Sequence, residues 1–252
     1  MKKLIIIMGM LALLLLCPAC SGNEGAENEA ATTAAAQKTE FTEGVWIKKY
    51  PDNYACFKLE SPEGFQIVCD PFNINELLQP DVVTESHQHM DHSDESIINP
   101  PYERITEAGE YKIDDIVIRG YAGKHNKGDL IGSNIIFVFE MNDITIAHFA
   151  SQGEVPDNEV LEQIGTVDVL LIQIFDDPDY NKLLIDDADI IIDKLGPRII
   201  IPEHGDTDMA DLLAEHLDVE EEAETSGSII VTREMLDEME DIRIVNLDNV
   251  QQ

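Results

Sequence analysis

Asp81-Val82-Val83-Thr84-Glu85-Ser86-His87-Gln88-His89-Met90-Asp91-His92 places three histidines within six residues, directly after a short apolar run. The run reads as a buried strand, so the histidines fall on the loop at its end, where functional side chains are commonly displayed by a rigid scaffold. Side chains at alternate positions of such a loop can converge, as metal ligation requires. Imidazole suits zinc, iron or manganese-class ions, and a neighbouring carboxylate such as Asp91 can ligate or orient water. With 7 histidines in 252 residues, a chance H-x-H-x-D-H is expected on the order of once in two thousand such chains. A coincidental polar loop is therefore a poor account of it.

Outward from this loop, the composition narrows the possibilities. Hydrophobic residues make up 44% of the chain, enough for a packed core, so wholesale disorder is excluded in spite of the charge. The 51 acidic against 16 basic residues give a net charge of −35, which repels phosphate backbones and argues against a nucleic-acid partner. Apolar runs predict strands at Val45–Lys49, Ala55–Glu60, Phe65–Cys69, Val82–Thr84, Ile116–Arg119, Asn134–Glu140, Ile144–Ala147, Val167–Ile174, Arg198–Ile201, Ser228–Val231 and Ile242–Val245. Helices are predicted at Pro156–Gln163, Asp186–Leu195 and Asp208–His216. The second opens on acids that suit a helix N-terminus and stops at Gly196-Pro197. Strands dominate the first half and alternate with helices in the second, the pattern of a layered α/β domain.

Cys56 and Cys69 lie on the two arms of an apparent hairpin around Ser61-Pro62-Glu63-Gly64. A two-residue loop at Pro62-Glu63 pairs them face to face, whereas a bulge at Gly64 shifts the register by one. A disulfide and two buried thiols are both compatible with the sequence.

The N-terminus is an address. Lys2 and Lys3 precede an apolar run from Leu4 to Leu16, too short for a comfortable permanent membrane span, followed by Cys17-Pro18-Ala19-Cys20. Ala19-Cys20 with leucines upstream resembles a bacterial lipobox, although Cys17 stands where leucine is usual. This implies a signal peptide over 1–19 and lipidation of Cys20, hence an exported lipoprotein anchored on the extracytoplasmic side of a membrane. Residues 20–40 are small and polar, a flexible tether, and 41–252 contain no further linker or repeat.

The histidine loop and several other segments together resemble the metallo-β-lactamase superfamily. His87-Gln88-His89-Met90-Asp91-His92 after a strand looks like its signature loop, and Cys69-Asp70-Pro71 like the Asp-Pro that ends an early strand. Gly123-Lys124-His125 with Gly132-Ser133-Asn134 is similar to the segment carrying the next metal histidine. Ile146-Ala147-His148-Phe149 resembles the strand leading to the family's Gly-Asp. Val167–Ile172 and Ile201-Pro202-Glu203-His204 resemble the last core strands and the final metal histidine. The nearest flavour is the branch similar to ascorbate-6-phosphate lactonase and related metal-dependent hydrolases. The resemblance implies an αββα sandwich with zinc or manganese-class divalent metal, one or two ions, at one edge. It implies His87, His89 and His125 at one ion and Asp91, His92 and His204 at the other.

One position departs. Where the family has Gly-Asp, with the Asp bridging both ions, this chain has Ala150-Ser151. A neutral hydroxyl at Ser151 brings no charge to hold a second dication, which leaves the three-histidine position intact and weakens the other. Glu203, Asp206 and Asp129 are candidate replacements. His148 reads as a core-strand residue, and His216 as an exposed residue of a charged helix. By resemblance the chain hydrolyses a small ester, lactone or related bond with a water acidified by the metal. Asp91 is then general base and His204 stabilises the oxyanion. The alternative is a non-catalytic metal- or ligand-binding lipoprotein that lost activity with the bridging Asp. A nuclease is opposed by the charge and by the export signal. Asp176, Asp177 and Asp179, in a loop expected to face a small-molecule substrate, predict repulsion of anionic esters.

Overall fold

Side-chain alternation builds this fold. In β1 (Val45–Lys49) Val45 and Ile47 turn inward while Trp46 and Lys48 turn out, and the central strands that follow repeat or extend that rule. A computed structural model describes residues 40–50, 55–177, 179, 181–203, 209–219 and 224–247. Glu40–Gln252 form one compact unit, to which the description below applies.

The strands are β1, β2 (Phe57–Glu60), β3 (Gln66–Cys69), β4 (Val82–Thr84), β5 (Glu103–Ile105), β6 (Gly109–Ile113), β7 (Ile116–Gly123), β8 (Asn134–Met141), β9 (Ile144–His148), β10 (Val169–Gln173), β11 (Ile199–Glu203), β12 (Glu224–Thr225), β13 (Ser228–Val231) and β14 (Arg243–Asn246). The helices are α1 (Asn158–Ile164), α2 (Ile185–Leu195), α3 (Met209–His216) and α4 (Arg233–Glu238). Six strands form one sheet in the order β13-β1-β2-β3-β4-β5, and eight form a second, β12-β14-β11-β10-β9-β8-β7-β6.

The inner faces of the sheets share one core, including Ile47, Leu59, Ile67 and Val82 from the first and Phe137, Ile146, Leu171 and Ile201 from the second. The outer face of the second sheet packs Leu170, Ile172 and Ile200 against α1, α2 and α3. Strand β10 is consequently buried on both faces, which is why Val169-Leu170-Leu171-Ile172 is an uninterrupted apolar run. Over the first sheet the covering layer is the segment carrying Ile74, Leu78 and Ile98. The expected αββα sandwich forms, with helices concentrated on the eight-stranded side.

The β2–β3 hairpin takes the shifted register. Phe57 faces Cys69 and Leu59 faces Ile67, with Gly64 in the left-handed region at φ 92°. A slip of one residue sends neighbouring side chains to opposite faces. Cys69 therefore joins the inter-sheet core and Cys56 the outer cluster, and both are free, buried thiols.

Strands β9, β10, β11 and β14 run parallel, as do β3, β4 and β5, and β7 joins the first group through two antiparallel pairings. Their C-terminal ends emerge at one edge of the sandwich. Open α/β sheets bind ligands at that edge, because the loops that leave it diverge and leave space.

Candidate metal centre

Asp70, fully buried at the end of β3, organises this edge. Its backbone sits at φ 46°, a left-handed conformation that turns the carboxylate back toward the loop after β4. Oδ1 accepts the Ser86 N–H and Oδ2 accepts the Ser86 hydroxyl, both at 2.6 Å, while His92 Nδ1 donates to Oδ2 at 2.9 Å. Burial alone would raise this carboxyl, but the hydrogen bond and charge of His92, aided by His148 and Ser86, hold it below the usual range. A hydroxyl that donates to Asp70 can only accept from His87 Nδ1, 2.9 Å away. The network thereby puts the proton of His87 on Nδ1 and leaves Nε2 as a lone pair.

That lone pair is the test of whether a metal fits. His87 Nε2 is buried and has no hydrogen-bond partner, an arrangement that costs free energy unless something accepts its electrons. His87, His89 and His125 each offer a ligand atom, and the three atoms lie within 4.8 Å of one another. Their ring centroids stand 4.5 to 4.7 Å apart, and His92 stacks 4.1 Å from His87. Three oriented imidazoles around a common point are a donor set for a divalent ion. The carboxylate–histidine pair Asp70–His92 is the usual way such rings are held in place.

His125 arrives from the loop after β7. Its N–H donates to Ser133 Oγ at 2.9 Å, and Asn126 Nδ2 lies 2.9 Å from its Nδ1. Lys182 Nζ reaches it from the loop after β10, 3.1 Å from Nε2 and 2.9 Å from the His125 carbonyl. Burial, with Lys182 beside it, lowers His125 to about 4. Burial, with the charge of His92, lowers His87 to about 2, and burial lowers Lys182 to about 8. Below an ordinary imidazole pKa near 6.5, protons therefore compete with an ion for neither His87 nor His125 until the pH nears 4. Zinc affinity measured from pH 6.5 to 5 is expected to fall by no more than about one proton per ion, where three free imidazoles would give about three. A slope of three would show that the rings are not held neutral.

The second position is less complete. Asp91 is exposed, with Oδ2 3.9 Å from His92 Nε2, and Ser151 Oγ lies 3.4 Å from the same nitrogen. Ala150 occupies a left-handed φ of 49°, so the turn after β9 keeps a backbone suited to glycine although the Gly-Asp pair is absent. Gly153 fixes this turn against the site. A Cβ there would lie 2.4 Å from Asn126 Cα, and its N–H donates to the Lys124 carbonyl at 2.7 Å. His204, Asp206 and Cys20 lie outside the described residues.

Of the candidate replacements for the bridging Asp, the two among the described residues each have a carboxylate oxygen engaged elsewhere, although Glu203 Oε1 has no partner there. Glu203 is fully buried, its Oε2 2.9 Å from His148 Nε2, and Asp129 Oδ2 accepts the Asn126 N–H and Nδ2. His148 is a core residue as expected. Burial would lower its pKa, but the Glu203 charge and hydrogen bonds to Cys69 and Glu203 raise it well above the ordinary value. His216 is exposed and pairs with Asp189 on α2.

The loop after β10 corrects the charge argument. Asp176, Asp177 and Asp179 are exposed, and the side chain this loop brings to a candidate ligand is the cation Lys182. Sequence reasoning missed Lys182 and Ser86 and gave Asp70 no role. An acid between an apolar strand and Pro71 was a usable signal for Asp70, whereas Lys182 had none.

The model of the beta-lactamase superfamily domain matches residues 52–204, more than half of the chain. The chain belongs to the beta-lactamase superfamily. A solved Thermotoga maritima structure, described as a candidate Zn-dependent hydrolase of the metallo-beta-lactamase superfamily, is 27% identical with a TM-score of 0.64. It is covered over 100% of its length and over 81% of this chain. Igni18, a metallo hydrolase from Ignicoccus hospitalis, is 15% identical with a TM-score of 0.51, over 69% of this chain and 90% of its own. CmlA, a diiron beta-hydroxylase from Streptomyces venezuelae, is also 15% identical, with a TM-score of 0.56 over 76% of this chain and 55% of its own. No curated protein matches. The superfamily fold is thus shared by a hydrolase and a hydroxylase, and the reaction of this member has to be argued from its site.

Proposed function

We propose that this superfamily member is an exported, membrane-anchored metal-dependent hydrolase of a small ester, lactone or related bond, from the branch resembling ascorbate-6-phosphate lactonase. The observation that carries the reading is the buried, tautomer-fixed and unpartnered Nε2 of His87 beside His89 and His125. The description of the Thermotoga relative as a candidate Zn-dependent hydrolase supports the same class. A zinc or manganese-class ion held by these rings would acidify a water and polarise the carbonyl. Asp91, exposed with Oδ2 3.9 Å from His92 Nε2, would orient that water and take its proton. His204 would stabilise the developing oxyanion or complete a second ion position with Asp91 and His92. Lipidated Cys20 and the 20–40 tether would hold the domain at a membrane, and the net charge of −35 disfavours a nucleic-acid substrate.

Ser151 favours a second reading, a binding lipoprotein without catalysis, because a hydroxyl stands where a bridging carboxylate would hold the second ion. Metal analysis of the full-length chain and of Ser151→Asp tests the count. About one tightly held ion is expected in the native protein and close to two in the variant. Two ions in the native chain would overturn the role given to Ser151. Turnover of a panel of small esters and lactones by the native protein then decides between enzyme and binder, and no turnover of any member would favour the binder.

A further inference from the structure

Lys182 stands 57 residues from His125 in sequence, yet its ammonium lies against that ring and that carbonyl, 3.1 and 2.9 Å away. Its place is built rather than incidental. The Phe175 N–H donates to Leu183 O at 3.0 Å and the Ile185 N–H to Phe175 O at 2.9 Å, closing the base of the loop. Asn181 ties the loop to the His125 segment, its Nδ2 donating to Lys127 O at 3.2 Å and its carbonyl accepting the Lys127 N–H at 3.2 Å.

No carboxylate among the described residues lies within ion-pair distance of Lys182, whereas nearby Lys124 and Lys127 pair with Glu154 and Asp187. The charges of Asp129 and Asp91 reach this half-buried ammonium, but from beyond ion-pair distance, so among the described residues its direct carboxylate contact is left to a ligand. Its bond to the ring is replaceable. Asn126 Nδ2 and Lys182 Nζ both approach His125 as donors, and a neutral imidazole has one lone pair to offer them. An ion held at His125 would remove that acceptor and leave ammonium donors unmet beside the reacting centre.

We propose that Lys182 is the anion anchor of the site, and that the substrate is a small acyl compound carrying a carboxylate a few bonds from the bond that is cleaved. The inference rests on the hydrolase reading above and deepens it by naming a substrate class. One end of the molecule would present its carbonyl at the histidine centre while its carboxylate pairs with Lys182, which fixes the orientation.

The test compares the zinc-loaded full-length chain with Lys182→Met and Lys182→Arg. The substrates are mono(4-nitrophenyl) glutarate, which carries a carboxylate, and 4-nitrophenyl butyrate, which does not. Native kcat/KM is expected to favour the anionic ester at least about tenfold, with the preference falling to within about twofold in Lys182→Met and surviving in Lys182→Arg. Glutarate binding by calorimetry should weaken about tenfold in Lys182→Met while butyrate binding does not, at unchanged zinc content. An anionic preference that persists in Lys182→Met, an equal loss on both esters, or unchanged glutarate affinity would each overturn the anchor. If neither ester turns over while glutarate binding still depends on Lys182, the substrate class falls with the hydrolase reading and the anion anchor alone stands.

Discussion

Replacing His89 with alanine is expected to weaken the hold on the ion by about 10²- to 10³-fold and to remove any hydrolysis with it. A structural zinc site contributes about 10–16 kcal/mol across four ligands, so each ligand supplies about 2.5 to 4 kcal/mol. His89 is the cleanest of the three rings to remove because it is exposed and supports no core packing. Its ring contacts are with His87 and His125, the other members of the group. The same change at His87 would also disturb a buried ring hydrogen-bonded to Ser86. Metal-free melting temperatures of the native chain and of His89→Ala should therefore agree within about 2 °C, while zinc content and turnover collapse together. Full activity in His89→Ala would remove metal from the mechanism. Full zinc content with lost activity would move His89 from ligand to substrate contact.

What the sequence discloses and what it hides divide along the distance over which the signal acts. Strands β1, β4 and β13 form over the residues expected, because local apolar patterning alone decides which face is buried. Strands β5 and β6 escape notice because they lie near or at sheet edges. Exposed Glu103, Arg104, Glu110 and Lys112 give them neither an apolar run nor a clean alternation. Helix α4 is six residues long, below the length at which helical periodicity can be read. The histidine loop is legible because its spacing is local and rare. Lys182 is not, because only the packing of the loop after β10 against the loop after β7 brings it to His125. The Cys56–Cys69 relation turned on a single residue of register at Gly64, which no pattern over the hairpin could fix.

Asp70 should prove the most sensitive position for stability. Its two oxygens receive three buried donors, the Ser86 N–H, the Ser86 hydroxyl and His92 Nδ1. Asparagine has the same shape but one acceptor oxygen, so in either amide orientation an N–H group must face a donor. Breaking a buried, charge-assisted network in this way costs about 3 to 5 kcal/mol, on the order of 10 °C in melting temperature for a domain of this size. The loss should be complete near neutral pH. A carboxyl held below its ordinary value of 3.8 stabilises the fold above that value, and the contribution fades as pH falls through the folded-state pKa. Native protein and Asp70→Asn should therefore differ most near pH 7 and converge in strong acid. Zinc affinity should also fall, by about 10- to 100-fold, because the carboxylate that holds His92 also fixes the Ser86 hydroxyl on which the His87 tautomer depends. Melting the zinc-free proteins separates the two effects. A variant melting within about 2 °C of the native chain would mean that Asp70 does not organise this edge. Unchanged zinc affinity in a destabilised variant would mean that the His87 lone pair is set by something other than Ser86.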